Sequence, residues 1–154
     1  KNKYEALIVA SIIEKELGWE GDEVENIPSE YSYEKIECHL QGVRDYLKYV
    51  KRGYTRPSHL ATLDIRNNRL TREEGMRIVK EFEGRRPPSL DIFLDYVGIT
   101  EHEFMEIAIS HEVSPHKFDA EKITPGKKVH DFENWSRDGN MPRNEAIKQL
   151  NMSK

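Results

Sequence analysis

Apolar residues recur along this chain at helical intervals. Ile8, Ile12, Ile13 and Leu17 form one stripe, with Gly18 placed to stop it. From Tyr33 onward Ile36, Leu40, Val43, Leu47 and Val50 step by four, three, four and three. That spacing predicts one helix with all five on a single face, closed by Gly53. Leu60 to Arg66 reads as a short helix leading into a polar turn at Asn67 and Asn68. Thr71 with Glu74, and Thr100 with Glu103, match the capping box, in which side chain and backbone satisfy each other's orphan donors. Each box precedes a stripe: Met76, Val79 and Phe82 after the first, Phe104, Ile107, Ala108 and His111 after the second. Between them Pro87 and Pro88 open a helix carrying Leu90, Phe93, Leu94 and Val97, ended by Gly98. No segment alternates with period two over five residues, so no strand is predicted. The expected fold is mainly α, with helices in residues 1–113 and an extended tail over 114–154. Pro115, Pro125, Gly126, Gly139 and Pro142 interrupt that tail, and only Pro142 to Leu150 reads as helix. Its segment 114–141 is expected to lie over other surfaces through Phe118, Ile123, Val129, Phe132 and Trp135.

With 154 residues the chain suits one domain rather than two. Charged residues make up 34% of it, against a usual share of about 25%, and the apolar supply is correspondingly thin. That balance fits helices wet on one side, or a piece whose missing neighbour covers part of it. The absence of an initiator Met before Lys1 fits a piece cut from something longer. The longest unbroken apolar stretch, Ala6 to Ala10, is far short of the roughly 20 residues of a membrane span, and no signal segment opens the chain. Membrane and secretory classes are therefore excluded, and the cytoplasm is expected. A single cysteine, Cys38, cannot form an internal disulfide and is expected to be a buried structural thiol.

The net charge of −4 conceals an asymmetry. Residues 14–37 hold nine carboxylates against two lysines, while residues 44–86 hold twelve Lys and Arg against six Asp and Glu. A basic block inside an acidic protein points to a local anion site rather than a nucleic-acid surface, because the remaining charge offsets long-range attraction to a polyanion. The acidic block is expected to face solvent or a partner. Six histidines are present, but none pairs into HExxH, so no metal site is predicted. His111, on an apolar stripe, is expected in the core. There is no GxGxxG, no GxxxxGK and no serine elbow, and so no complete catalytic constellation.

The most informative stretch is KRGYTRPSHLATLDIRNNRLTREEG, residues 51–75. It sets Lys51, Arg52, Arg56, Arg66, Arg69 and Arg72 around turns and helix starts, where guanidinium forks and free backbone N–H groups can meet phosphate or carboxylate oxygens. Tyr54 and His59 add donors and a flat face. The plain alternative is a solvated, salt-bridged helical surface.

Together with YEKIECHLQGVRDYLKYV before it, and RRPPSLDIFLDYVGITEHEF, SPHKFD and GKKVHDFENW after it, this stretch resembles the C-terminal region of the N-acetyl sugar amidotransferase family, from about residue 5 to the end. RDYLKY, KRGY, DIR and TREEG in this order and spacing carry the resemblance. It implies an enzyme of surface-polysaccharide and flagellar sugar synthesis built on an α/β ATP-pyrophosphatase fold. In such an enzyme ATP with Mg activates the acetamido oxygen of a sugar as an adenylate, and ammonia displaces AMP to leave an acetamidino group. The implied partners are an N-terminal nucleotide-binding half, a glutaminase subunit that supplies ammonia, and a sugar or nucleotide-sugar substrate. The family's SGGKDS-type loop and cysteine-rich element do not occur here, so the chain looks like the C-terminal portion and is expected to be inactive alone, with ATP and Mg held by the other half. Pro57 and His59 stand where the family more often has a small and an acidic residue. The resemblance implies that segment 44–75 shapes the acceptor pocket, lined by Arg44, Tyr54, Arg56, Asp64 and Arg66. Arg56 and Arg66 are expected to face one shared pocket, and the Ile8, Ile12, Ile13 stripe to remain exposed where the absent half docks. The rival reading is a stand-alone helical interaction module whose basic patch binds an acidic partner.

Overall fold

In the computed structural model, which describes residues 6–130, six α-helices follow one another. They are α1 (Ala6–Leu17), α2 (Gln41–Arg52), α3 (Arg56–Arg66), α4 (Arg72–Phe82), α5 (Ser89–Val97) and α6 (Glu101–Ser110). Two single 3₁₀ turns, Ser29–Tyr31 and Ala120–Lys122, interrupt the loops, and among the described residues there is no strand beyond an isolated bridge of Arg86 to Pro125. The mainly-α expectation holds. The predicted helix at Pro142 to Leu150, and Phe132 and Trp135, lie outside the described residues.

The local signals act as their chemistry dictates. Both capping boxes form, with Thr71 and Thr100 hydroxyls accepting from the backbone of Glu74 and Glu103 while those carboxylates reach back to the cap N–H groups. Gly53 and Gly98 close α2 and α5 in the left-handed conformation, which glycine adopts without a Cβ penalty. One helix starts later than its pattern predicts. Ile36 and Leu40 precede α2, because the chain from Tyr33 to Leu40 is held as turns with Lys35 at φ 55° and the Glu34 carbonyl accepts from the Arg56 guanidinium at 3.0 Å. Another starts earlier: α3 begins at Arg56, with the Thr55 hydroxyl as its cap and Pro57 in its first turn.

Two cores result. The larger one joins α2, α5 and α6 through Val43, Tyr46, Val50, Leu90, Leu94, Phe104 and Ala108. The smaller one joins the 24–33 loop to α3 through Ile27, Tyr31 and Leu60. Helices α3 and α4 pair as a hairpin in which Gly75 lets the backbones close up, since a Cβ there would come within 2.6 Å of Ile65. Met76, expected to face inward, is exposed instead. His111 and Cys38, both expected to be buried, are exposed; His111 caps the end of α6, where the chain leaves the core. Ile8, Val9 and Ile12 on α1 are 43%, 44% and 54% exposed, so the expected apolar stripe is found uncovered, with Ile13 half-buried.

After α6 the chain crosses back as an arm. Val113 N–H donates to the Lys51 carbonyl at 2.8 Å, and His116 meets the Val50 carbonyl at 3.1 Å, together satisfying the C-terminal end of α2. Phe118 and Ile123 then pack on the larger core, as expected of the tail. The arm runs beside Arg86, with Arg86 N–H to Thr124 at 2.9 Å and Gly126 N–H to Arg86 at 2.8 Å, and brings residues 127–130 against the 22–32 loop.

Carboxylates fasten the elements. Glu83, at the end of α4, accepts from the backbone N–H of Ser58 at 3.0 Å and from its hydroxyl, so it caps the first turn of α3 across the hairpin. Burial pushes its carboxyl above the ordinary range. The folded chain therefore holds that proton more tightly than the unfolded chain does, so this group's contribution is complete at low pH and is lost as pH rises through the raised value. Glu83→Ala should cost about 1–3 kcal/mol by leaving half-buried donors unpaired. Glu83→Gln, which cannot titrate, should flatten the decline of stability with pH, and urea unfolding from about pH 4 to 8 measures both. Equal pH slopes for the Gln variant and the natural chain would remove Glu83 from this role.

Candidate functional site

The five residues singled out in the sequence fall into two groups. Arg44, Tyr54 and Arg66 are exposed, Tyr54 with the Lys48 ammonium 5.0 Å from its ring centre. Arg56 and Asp64 are engaged inside the fold. Arg56, 5% exposed, sits 2.7 Å from an Asp45 carboxylate oxygen and donates to the Glu34 carbonyl. Burial pushes the Asp45 carboxyl up against the opposing pull of Arg56, and pushes the Arg56 guanidinium down. Asp64 accepts from the Tyr31 hydroxyl at 2.6 Å and from Arg69 Nε at 2.8 Å. Arg56 and Arg66 stand at opposite ends of the same helix, α3, about 15 Å apart along its axis, one buried and one exposed. The structure does not bring them together.

A cleft of about 360 Å³ opens beside the smaller core, between the 23–32 loop, the end of α4 and the arm. Val24, Ile27, Phe82 and Val129 supply its apolar wall, while Glu23, Glu81, Arg85 and Lys127 supply carboxylates and cations. An apolar surface edged by both acceptors and cationic donors suits a ligand with a ring face, hydroxyls and an anionic group. None of its lining comes from segment 44–75. That segment acts on it at one remove: Asp64 fixes Tyr31 and Arg56 fixes Glu34, so both brace the loop that forms one wall.

Next to the cleft lies a second group of side chains. Asp22, His39 and His130 each bring one potential ligand atom within 4.8 Å of the others. The two imidazoles meet edge to face at 4.6 Å, and His130 Nε2 donates to the Glu23 carbonyl at 2.9 Å. Burial and the neighbouring His130 push the His39 imidazole below its ordinary value, against a smaller pull from Asp22.

The sequence model of one family, described as "LPS biosynthesis protein WbpG-like, C-terminal domain", matches residues 25–131. The chain belongs to this family. No curated protein and no solved structure matches it.

The WbpG-like domain thus spans the region from the first buried carboxylate, Glu25, through all of α2 to α6 and the arm, and the chain is part of lipopolysaccharide biosynthesis. Helix α1, with its uncovered stripe, lies outside the matched span, which is shorter than the likeness expected from about residue 5 to the end. All of the cleft lining except Glu23 and Val24 lies inside it. Reasoning from the basic stretch alone missed the cleft, because its cations are Arg85 and Lys127, which stand in the RRPP and GKKVH motifs rather than in residues 51–75. The acidic block, expected to face solvent or a partner, supplies a cleft wall and a buried carboxylate, Glu25.

Proposed function

We propose that this WbpG-like domain is the acceptor-binding portion of an ATP-dependent sugar amidotransferase, which converts a sugar acetamido group to acetamidino. The observation that supports the reading is the cleft: an aromatic and aliphatic wall for a sugar face, carboxylates for hydroxyls, and Arg85 with Lys127 for the phosphates of a nucleotide sugar. In this reading no residue of this chain is assigned to ATP or Mg, in keeping with a sequence that carries neither GxGxxG nor GxxxxGK. Activation of the acceptor is the task we give to a nucleotide-binding half, which we propose as the partner for the exposed Ile8, Val9 and Ile12 stripe. Ammonia comes in this reading from a glutaminase subunit. What this chain does is hold the acceptor. Phe82 and Ile27 exclude water from one ring face, and the cations fix the anionic end so that the acetamido group is presented outward.

Arg85→Ala and Lys127→Ala in the complete enzyme should each raise KM for the nucleotide sugar about 10- to 100-fold, the cost of one charge-assisted hydrogen bond, and leave KM for ATP unchanged. Sugar KM within twofold of the natural enzyme in both variants, or a matching shift in KM for ATP, would overturn the reading.

A further inference from the structure

We infer that Asp22, His39 and His130 form a three-ligand site for a zinc-class divalent ion that clips the arm to the 22–39 loop beside the cleft. The first support is convergence. Two imidazoles and a carboxylate, from three points of the chain separated by 17 and 91 residues, bring their ligand atoms within 4.8 Å of one another. Two nitrogen donors and one carboxylate oxygen suit zinc, cobalt and nickel and are poorly suited to magnesium or calcium, which prefer all-oxygen shells. The second support is orientation. His130 Nε2 lies 2.9 Å from the Glu23 carbonyl, an acceptor, so that contact is an N–H donation that fixes the ring beside the cluster. Ligating histidines are oriented in this way, by donation of the other ring N–H to a backbone carbonyl.

Bonds of roughly 2.0–2.1 Å to each nitrogen and oxygen require the ligand atoms to draw in to about 3.3 Å of one another, a change within side-chain rotation. Asp22 is exposed and the two histidines are half-buried, so none is locked in a packed core. Three protein ligands leave a fourth position, open to water. Cys38 lines the small cavity shared by His39 and His130 and lies outside the triad. The carbonyl that orients His130 belongs to Glu23, a wall residue of the cleft, and Val129, the residue before His130, lines the same cleft. Filling the site therefore ties together two walls of the cleft. The inference does not depend on which ligand the cleft takes.

The test is titration of the metal-free full chain with zinc(II), followed by calorimetry, and with cobalt(II), followed by its visible d–d bands. One ion per chain is expected, with tetrahedral or five-coordinate cobalt bands and a rise in Tm on zinc addition. His39→Ala and His130→Ala should each weaken zinc binding by more than about 100-fold, beyond what the loss of an outer-shell partner costs. Unchanged circular dichroism in the absence of metal separates lost ligation from lost folding. Should either histidine variant fold poorly, exposed Asp22→Asn gives the same readout with no core residue touched. Binding that is not saturable at one ion per chain, or zinc affinity within threefold of the natural chain in Asp22→Asn and both histidine variants, overturns the inference.

Discussion

Replacing Arg56 by alanine is expected to destabilise the folded chain by about 3–5 kcal/mol, the cost of leaving one member of a buried ion pair behind. Asp45 then stands in the interior with its main counter-charge gone, and the Glu34 carbonyl loses a donor at 3.0 Å. Against a total of about 5–15 kcal/mol for an ordinary domain, much of the fold's margin disappears. The pH dependence follows from the carboxyl. Burial already raises Asp45 and Arg56 opposes that rise, so removing Arg56 lifts the folded-state value further. A group raised in the folded state stabilises it below its unfolded value and loses that effect as pH rises, so the deficit of Arg56→Ala should be larger at about pH 7.5 than at about pH 4.5. Pairing Arg56→Met with Asp45→Leu should recover most of the loss, because a buried pair replaced by apolar groups of similar size no longer carries an unmatched charge. Urea unfolding of the three proteins at both pH values measures all of this. A deficit below about 0.5 kcal/mol, the usual range for a surface substitution, would show that Arg56 is not a structural ion-pair partner. Arg56→Lys is the milder form. It keeps the charge but not the fork that reaches Asp45 and the Glu34 carbonyl together, so its effect belongs in stability.

The second large effect concerns Gly42 and Glu25. An added Cβ at Gly42 would fall 2.3 Å from a Glu25 carboxylate oxygen and 2.9 Å from the Pro87 ring. Glu25 cannot simply turn away, since its two oxygens accept from the Ser89 backbone N–H at 2.9 Å and the Ser89 hydroxyl at 2.5 Å, capping α5. The proline ring cannot turn at all. Gly42→Ala is therefore expected to cost about 3 kcal/mol, at the upper end for overpacking, and Glu25→Ala about 2–3 kcal/mol through unpaired buried donors. The double variant should cost less than the sum, by about 0.5–3 kcal/mol, because removing the carboxylate removes the nearer clash. Additive losses would mean that the two sites do not share this contact.

The sequence by itself determined what short-range chemistry decides. Helices at Thr71 and Thr100, and stops at Gly53 and Gly98, rest on groups within four residues of each other, so spacing and residue type suffice. The covering role of Phe118 and Ile123 was legible from apolar residues in a chain too broken for helix. The order of motifs carried the family. Only the tertiary structure decided where charges go. Arg56 reads as a pocket-lining cation because a guanidinium is costly to bury alone, and the partners that permit its burial in the fold stand 11 and 22 positions earlier, at Asp45 and Glu34. Glu25 reads as one carboxylate of an acidic run until α5 presents Ser89 to it from 64 residues away. The late start of α2 has the same origin, since the five-residue stripe is a true helical pattern whose first turn is claimed by a long-range donor. The cleft and the Asp22, His39, His130 group were invisible for the corresponding reason. Periodicity reports which face of an element is apolar, and it carries no information on which loops a long arm brings together.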